Sequence, residues 1–259
     1  MRFDWTGSLY TKCVMRAAAF ALVTLVTNNM FASNANAEST VLPAFRATYA
    51  AQFRGMDGGN LIFTFQPASE PGQFIYQTTA DPSFLASLVV SRAATERTRL
   101  AIDAQGVRPL EWEFDDGKSS DKADGSLKFD WAAQRVSGRI EREAIDFPTE
   151  AGLQDRLSIQ IAVMVALLRG QEPSTFPMID DNRIKRYTYR KTGDATLDTP
   201  LGKVETVIYE STREGSSRVA RFWMAPSHNY LAMRAEQERK GKVETVMTIK
   251  SVERGDEVK

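Results

Sequence analysis

His228, in the run APSHNY, is the only histidine of the chain, and Cys13 is the only cysteine. Those two residues bound the chemistry. A zinc or copper centre draws several imidazole or thiolate ligands, and this chain has no such set. His228 sits in a Pro-Ser-Asn turn, where an exposed imidazole needs no role. A serine hydrolase needs a serine, a base and an orienting acid, and no Gly-x-Ser-x-Gly elbow is present. Ser158 falls in the first turns of an apolar run, where a hydroxyl commonly bonds its own backbone. Carboxylates are the one plentiful reactive class. Asp115-Asp116 and Asp121-Asp124 crowd one polar stretch. Paired carboxylates hydrolyse glycosides, and clustered ones bind hard cations such as calcium. The spacing departs from the EF-hand loop, and a solvated turn accounts for it. No glycine-rich phosphate loop appears. No catalytic residue, metal ligand or cofactor is assigned on these grounds, and a carboxylate-based hydrolase is the only enzyme left chemically open.

The apolar residues are more informative. The stretch DPSFLASLVV gathers Phe84, Leu85, Leu88, Val89 and Val90 after an Asp-Pro pair. Its pattern predicts a short amphipathic helix, either a flap over one end of the fold or a lid over an apolar cavity. Phe84, Leu85, Leu88 and Val89, together with Met164, are the candidate ligand-binding residues. Trp112, Trp131, Phe222 and Trp223 could stack nucleic-acid bases, but core packing explains them better, because charge occupies the alternate positions. The chain carries 33 basic and 33 acidic residues, interspersed, with no basic stripe. Nucleic acid is therefore not an expected partner.

These residues are positioned by elements that mostly alternate at period two, the strand signature. FRATYAAQF puts Phe45, Tyr49 and Phe53 on one face, and NLIFTFQ does the same with Leu61, Phe63 and Phe65. LEWEFD and SLKFDW read as a hairpin joined by the polar DGKSSDKADG, with opposite charges on their outer faces that can pair across strands. RVSGRI, RYTYRK, DATLDT, KVETVIYES, SRVARFWM, YLAMRAEQ and KVETVMTIKSV follow, joined by stretches such as KTG, TPLG, REGSS and APSHN. The pattern predicts about ten to twelve strands, antiparallel because the connections are too short for parallel crossovers.

One run breaks the alternation. QDRLSIQIAVMVALLRG is apolar on every face beyond Gln160, with Asp155 near its start and Gly170 and Pro173 at its end. A helix apolar all round is buried all round, and ten residues reach only about 15 Å, half a bilayer core. The fold class expected is mainly β: a highly curved antiparallel sheet, or an open β-barrel or β-roll, wrapped around one buried helix at about residues 153–169.

The first 37 residues read as a secretory signal peptide. Arg2, Lys12 and Arg16 precede the apolar Ala17–Val26, and Ala35-Asn36-Ala37 offers a small-x-small cut after Ala37. A lipid-modified cysteine would follow the apolar core, whereas Cys13 precedes it. Residues 38–259 would then form a periplasmic, cysteine-free, β-rich domain without a transmembrane anchor.

Four places resemble a known family: FRATYAAQFRGMDGG, GVRPLEWEF, QDRLSIQIAVMVALLRG, and TLDTPLGKVETV followed by ARFWMAPSHNYLAMRAE. Their order is similar to that of the bacterial exported proteins grouped as domain of unknown function 3108. The resemblance implies an envelope location and a mostly antiparallel β-fold, and it brings no assigned activity. The function expected is non-catalytic binding of something apolar, a lipid or an acylated partner. The alternative is a structural or adaptor role through contacts with an envelope protein, made by a sheet edge or the charged loop 115–126.

Overall fold

The computed structural model describes residues 42–88 and 90–255. The expected signal segment, Cys13, the cut after Ala37 and Val89 lie outside the described residues. The described chain forms β1 (Phe45–Phe53), β2 (Met56–Pro67), β3 (Gln73–Pro82), β4 (Thr95–Asp103), β5 (Gly106–Asp115), β6 (Gly125–Asp130), β7 (Arg135–Ile140), β8 (Glu143–Pro148), the helix α1 (Ser158–Leu168), β9 (Thr175–Asp180), β10 (Arg183–Thr199), β11 (Gly202–Arg213), β12 (Arg218–Ala225), β13 (Leu231–Arg239) and β14 (Lys242–Arg254). All fourteen strands join one antiparallel sheet in the order β8-β7-β6-β5-β4-β3-β2-β1-β14-β13-β12-β11-β10-β9. The two edge strands, β8 and β9, are the two that flank α1 in sequence. The helix is thus the tie between the two edges of the sheet.

The sheet curls until its edges approach, but no ladder closes it. Side chains do that work. Trp112, Leu127, Phe129, Val136, Ile140 and Ile145 from β5–β8 share one buried cluster with Leu153 and with Ile179 of β9. Beside β9 the chain makes a short parallel bridge, Gln154 to Met178. The Ile179 N–H donates to the Gln154 carbonyl and the Gln154 N–H to that of Pro177, both at 2.9 Å. Those bonds satisfy part of an edge that would otherwise be a template for another chain.

The helix lies inside the curl. Ile159, Ile161, Val163, Met164, Val165 and Leu167 are all buried. At about 1.5–3 kcal/mol per large side chain, their burial contributes roughly 9–18 kcal/mol before entropy is subtracted. Gly170 (φ 68°) ends it in the left-handed region, as a helix terminator does.

Several expectations need correction. The sheet has fourteen strands, not ten to twelve. β4, β8 and β9 escaped the period-two reading because β4 turns Thr98 inward beside Leu100, while β8 and β9 are short and hold prolines. RYTYRK and DATLDT are one strand, β10, and the KTG between them is a register shift at Lys191–Gly193, not a turn. The helix begins at Ser158, not Leu153, because Leu153 and Gln154 are drawn into the core and the edge bridge. Trp223 does not join Phe222 in the core. Neighbours on a strand face opposite ways, and Trp223 carries the Arg234 guanidinium at 5.6 Å from its ring centre.

Candidate functional site

The interior is not completely filled. Tyr49 of β1, Phe63 of β2 and Tyr76 of β3 form one aromatic wall, with Tyr49 edge-on to Phe63 at 5.6 Å and Phe63 stacked on Tyr76 at 5.9 Å. Tyr189 of β10 stacks on Phe222 of β12 at 6.3 Å and makes the opposite wall with Met224 and Leu231. The helix closes the third side with Gln160, Val163 and Met164. The cleft between them holds about 460 Å³ of space between atoms, counting its open mouth, of which about 40 Å³ admits the centre of a water molecule. Gln160, Tyr189 and Phe222 are half-buried.

Polar groups in this wall are few. The Tyr49 hydroxyl donates to the Ala232 carbonyl at 2.8 Å, and the Tyr76 hydroxyl donates to Gln160 Oε1 at 2.8 Å. Burial pushes the Tyr49, Tyr76 and Tyr189 hydroxyls far above the ordinary tyrosine range, with Tyr49 adding to the shift at Tyr76. They are neutral donors, not nucleophiles. Gln160 Nε2 is buried without a hydrogen-bond partner among the described residues. A smaller cleft of about 220 Å³, counting space open to solvent, lies beyond Met164 and Leu231, which line both, and it reaches Leu42, Phe45, Val252 and His228. Burial, with some help from Arg254, lowers the His228 pKa, and its Nδ1 lies 3.0 Å from Ser227 Oγ.

The helix start holds a second buried polar group. Asp155 Oδ1 accepts from the Leu157 and Ser158 N–H groups, both at 2.8 Å, and Ser158 Oγ accepts from the Asp155 N–H at 2.9 Å. This reciprocal pair is a capping box. The Thr98 hydroxyl lies 2.7 Å from Asp155 Oδ2. Burial outweighs these bonds and lifts the Asp155 pKa to about 6. Ser158 is fully buried in the cap, which is the local bonding its position suggested.

Of the candidate binding residues, Met164 lines the cleft. Phe84, Leu85 and Leu88 do not. They stand 81%, 67% and 73% exposed around a 3₁₀ turn, Ala86–Leu88, at the end of the sheet that carries the β1–β2 turn. Val89 lies outside the described residues. The acidic stretch brings Asp115, Asp116 and Asp124 carboxylate oxygens within 4.8 Å of one another. One oxygen of each accepts a backbone N–H, from Gly117, Lys118 and Asp116 respectively, as turn-forming aspartates do. Sequence reasoning missed Gln160 and the Tyr76 hydroxyl. The available signal was that Gln160 is the last polar residue of an otherwise apolar run.

Residues 45–248 match the model of a family described as "Protein of unknown function (DUF3108)". No curated protein matches the chain. Among solved structures, the chain is similar to a β-barrel-like protein of domain of unknown function DUF1849 from Brucella abortus. The two are 12% identical with a TM-score of 0.52, over 83% of this chain and 99% of that one. At that identity the likeness speaks to the fold alone, and both folds are barrel-like. A candidate exported protein with a YmcC-like fold from Bacteroides fragilis matches at 11% identity and TM-score 0.30, over 81% of this chain and 95% of that one. A candidate lipoprotein from Parabacteroides distasonis matches at 8% identity and TM-score 0.36, over 82% and 95%. No helix among the described residues is long and apolar enough to cross a membrane.

Proposed function

The chain belongs to the DUF3108 family, and from that premise we propose that it is a non-catalytic protein of the cell envelope that holds an apolar chain in the cleft beside α1. One observation carries this reading. The cleft is walled by aromatic and aliphatic side chains yet keeps a buried donor, Gln160 Nε2, without a protein partner. Ligand sites are built this way, mostly apolar with a few placed polar groups. Met164 and Met224 line it, and unbranched thioether side chains adapt to a flexible guest. The secretory pattern of residues 1–37 supports export to the periplasm. The test is native mass spectrometry of the protein purified from its own host. Bound mass that extracts into organic solvent as acyl lipid supports the reading, and repeated ligand-free spectra count against it.

A second reading, an adaptor acting through protein contacts, has one observation in its favour. Among the described residues, Met56, Phe84, Leu85, Leu88 and Val243 are the exposed large hydrophobic side chains, and they lie near one end of the sheet. Replacing Phe84, Leu85 and Leu88 with serine separates the readings. Lost capture of an envelope protein with lipid retained favours the adaptor, and unchanged capture removes its support.

A further inference from the structure

We infer that the cleft takes an amphiphile with an anionic oxygen-bearing head, a carboxylate or a phosphate, on a single acyl chain, with the head near Gln160 and Arg213 and the tail toward Met164. This deepens the binding reading above and rests on it. Three buried donor atoms have no hydrogen-bond partner among the described residues; one lines the cleft, and the other two sit on β3 and β11, off its lining. Gln160 Nε2 is in its wall. Thr78 Oγ1 is on β3, two residues beyond Tyr76 on the same inward face. Arg213 Nε is on β11, two residues beyond Ser211, which pairs with Tyr189 in the ladder. Both steps run toward the end that carries the β1–β2 turn. A buried unpaired donor is costly, and a guanidinium more so. A ligand oxygen removes that cost, and an anionic oxygen removes most.

Width and direction agree with this polarity. Beyond the cleft aromatics on that side the strand positions are small: Ala51 after Tyr49, Ala80 after Thr78 and Ala220 before Phe222. They leave room for a head group. On the other side the cleft ends at Met164 and Leu231, with the second, His228-bearing cavity beyond them. A tail that displaces the Met164 side chain gains that space.

The experiment is displacement of the neutral dye Nile red at pH 8 by oleate, oleyl alcohol and lysophosphatidylglycerol, with wild-type protein and with Arg213→Met and Gln160→Leu. Oleate or the lysophospholipid, whichever head fits, should displace the dye at about one-tenth the concentration that the alcohol requires. The better of the two identifies the source of the anion. Either substitution should erase that preference. Equal displacement by acid and alcohol in the wild type overturns the inference and leaves the binding reading standing. A preference that survives in both variants also overturns it. No displacement by any amphiphile overturns both. The wild-type comparison needs no substitution, so a variant that fails to fold does not remove the test.

Discussion

At the residue scale the fold depends on a carboxylate that is costly to ionise. Asp155 is fully buried and its pKa is raised to about 6, first by burial and secondarily by the Glu96 charge, against three hydrogen bonds that favour the anion. The folded state therefore holds this proton more tightly than the unfolded chain, whose aspartates titrate near 3.9. Between those values the folded protein binds more protons, so its stability falls as pH rises from about 4 to about 6 and is level above. The difference is on the order of 3 kcal/mol for this group. Asn at 155 keeps an oxygen for the two N–H groups and an amide for Thr98. Denaturant melts from pH 4 to 7 should show the wild-type protein losing stability relative to Asp155→Asn across that window. A constant difference would assign the titration elsewhere. The half-buried Glu111 and Glu244, whose pKa values are lowered chiefly by hydrogen bonds from Arg99 and Arg54, act in the opposite sense at lower pH and cancel in the comparison. The acid near a helix start was legible in the sequence. Its burial was not, because Thr98 lies on a strand 57 positions away.

At the element scale the sequence was most legible where one pattern dominates. The all-apolar run from Ile159 to Leu168 could only be enclosed, and it is. The cleaner strands, β1, β2, β5 and β6, showed their inward faces directly. β10 did not, because it is a long, largely exposed strand with a register shift at Lys191–Gly193. Gly59 lies within β2, at a register shift opposite Ala51, with φ 91°. A Cβ there would come 2.3 Å from the Asp81 carbonyl oxygen and 2.4 Å from the Ser83 nitrogen. Gly59→Ala should therefore cost on the order of 2–4 kcal/mol, read from urea melts. A loss under about 0.5 kcal/mol, the level of an ordinary surface change, would show that the loop simply moves aside. Met164 separates the two cavities, and a stiffer Met164→Phe should weaken oleate by about tenfold while leaving decanoate nearly unchanged. Equal weakening of both would mean that the tail does not pass Met164.

At the scale of the whole molecule, closure is by side chains instead of a ladder, and this sets where the sheet opens first. β1 and β14 lie inside the sheet with paired neighbours on both sides, whereas β8 has one ladder partner, β7. Amide hydrogen exchange should show the slowest exchange in β1, β2 and β14 and the fastest strand amides in β8. Uniform protection across β8 and β1 would indicate that the edges are locked in a way the ladder does not show. The wrapped architecture was legible in the sequence, since many alternating segments around one apolar helix leave few other arrangements. The cleft was not. A void is what remains after side chains from β1, β3, β10, β12 and the helix have met, and no local pattern carries that remainder.

On the proposed function, this cleft, and not the exposed turn at Phe84, receives an acyl chain. Methyl-labelled methionine NMR during titration with oleate tests it most directly, because the methionines sample distinct places. Met164 and Met224 line the cleft, Met178 is buried in a separate cluster, and Met56 stands exposed near Phe84. Saturable shifts are expected at Met164 and Met224, with Met178 and Met56 nearly still. Shifts confined to Met56, or no saturable change at Met164 and Met224, would contradict it.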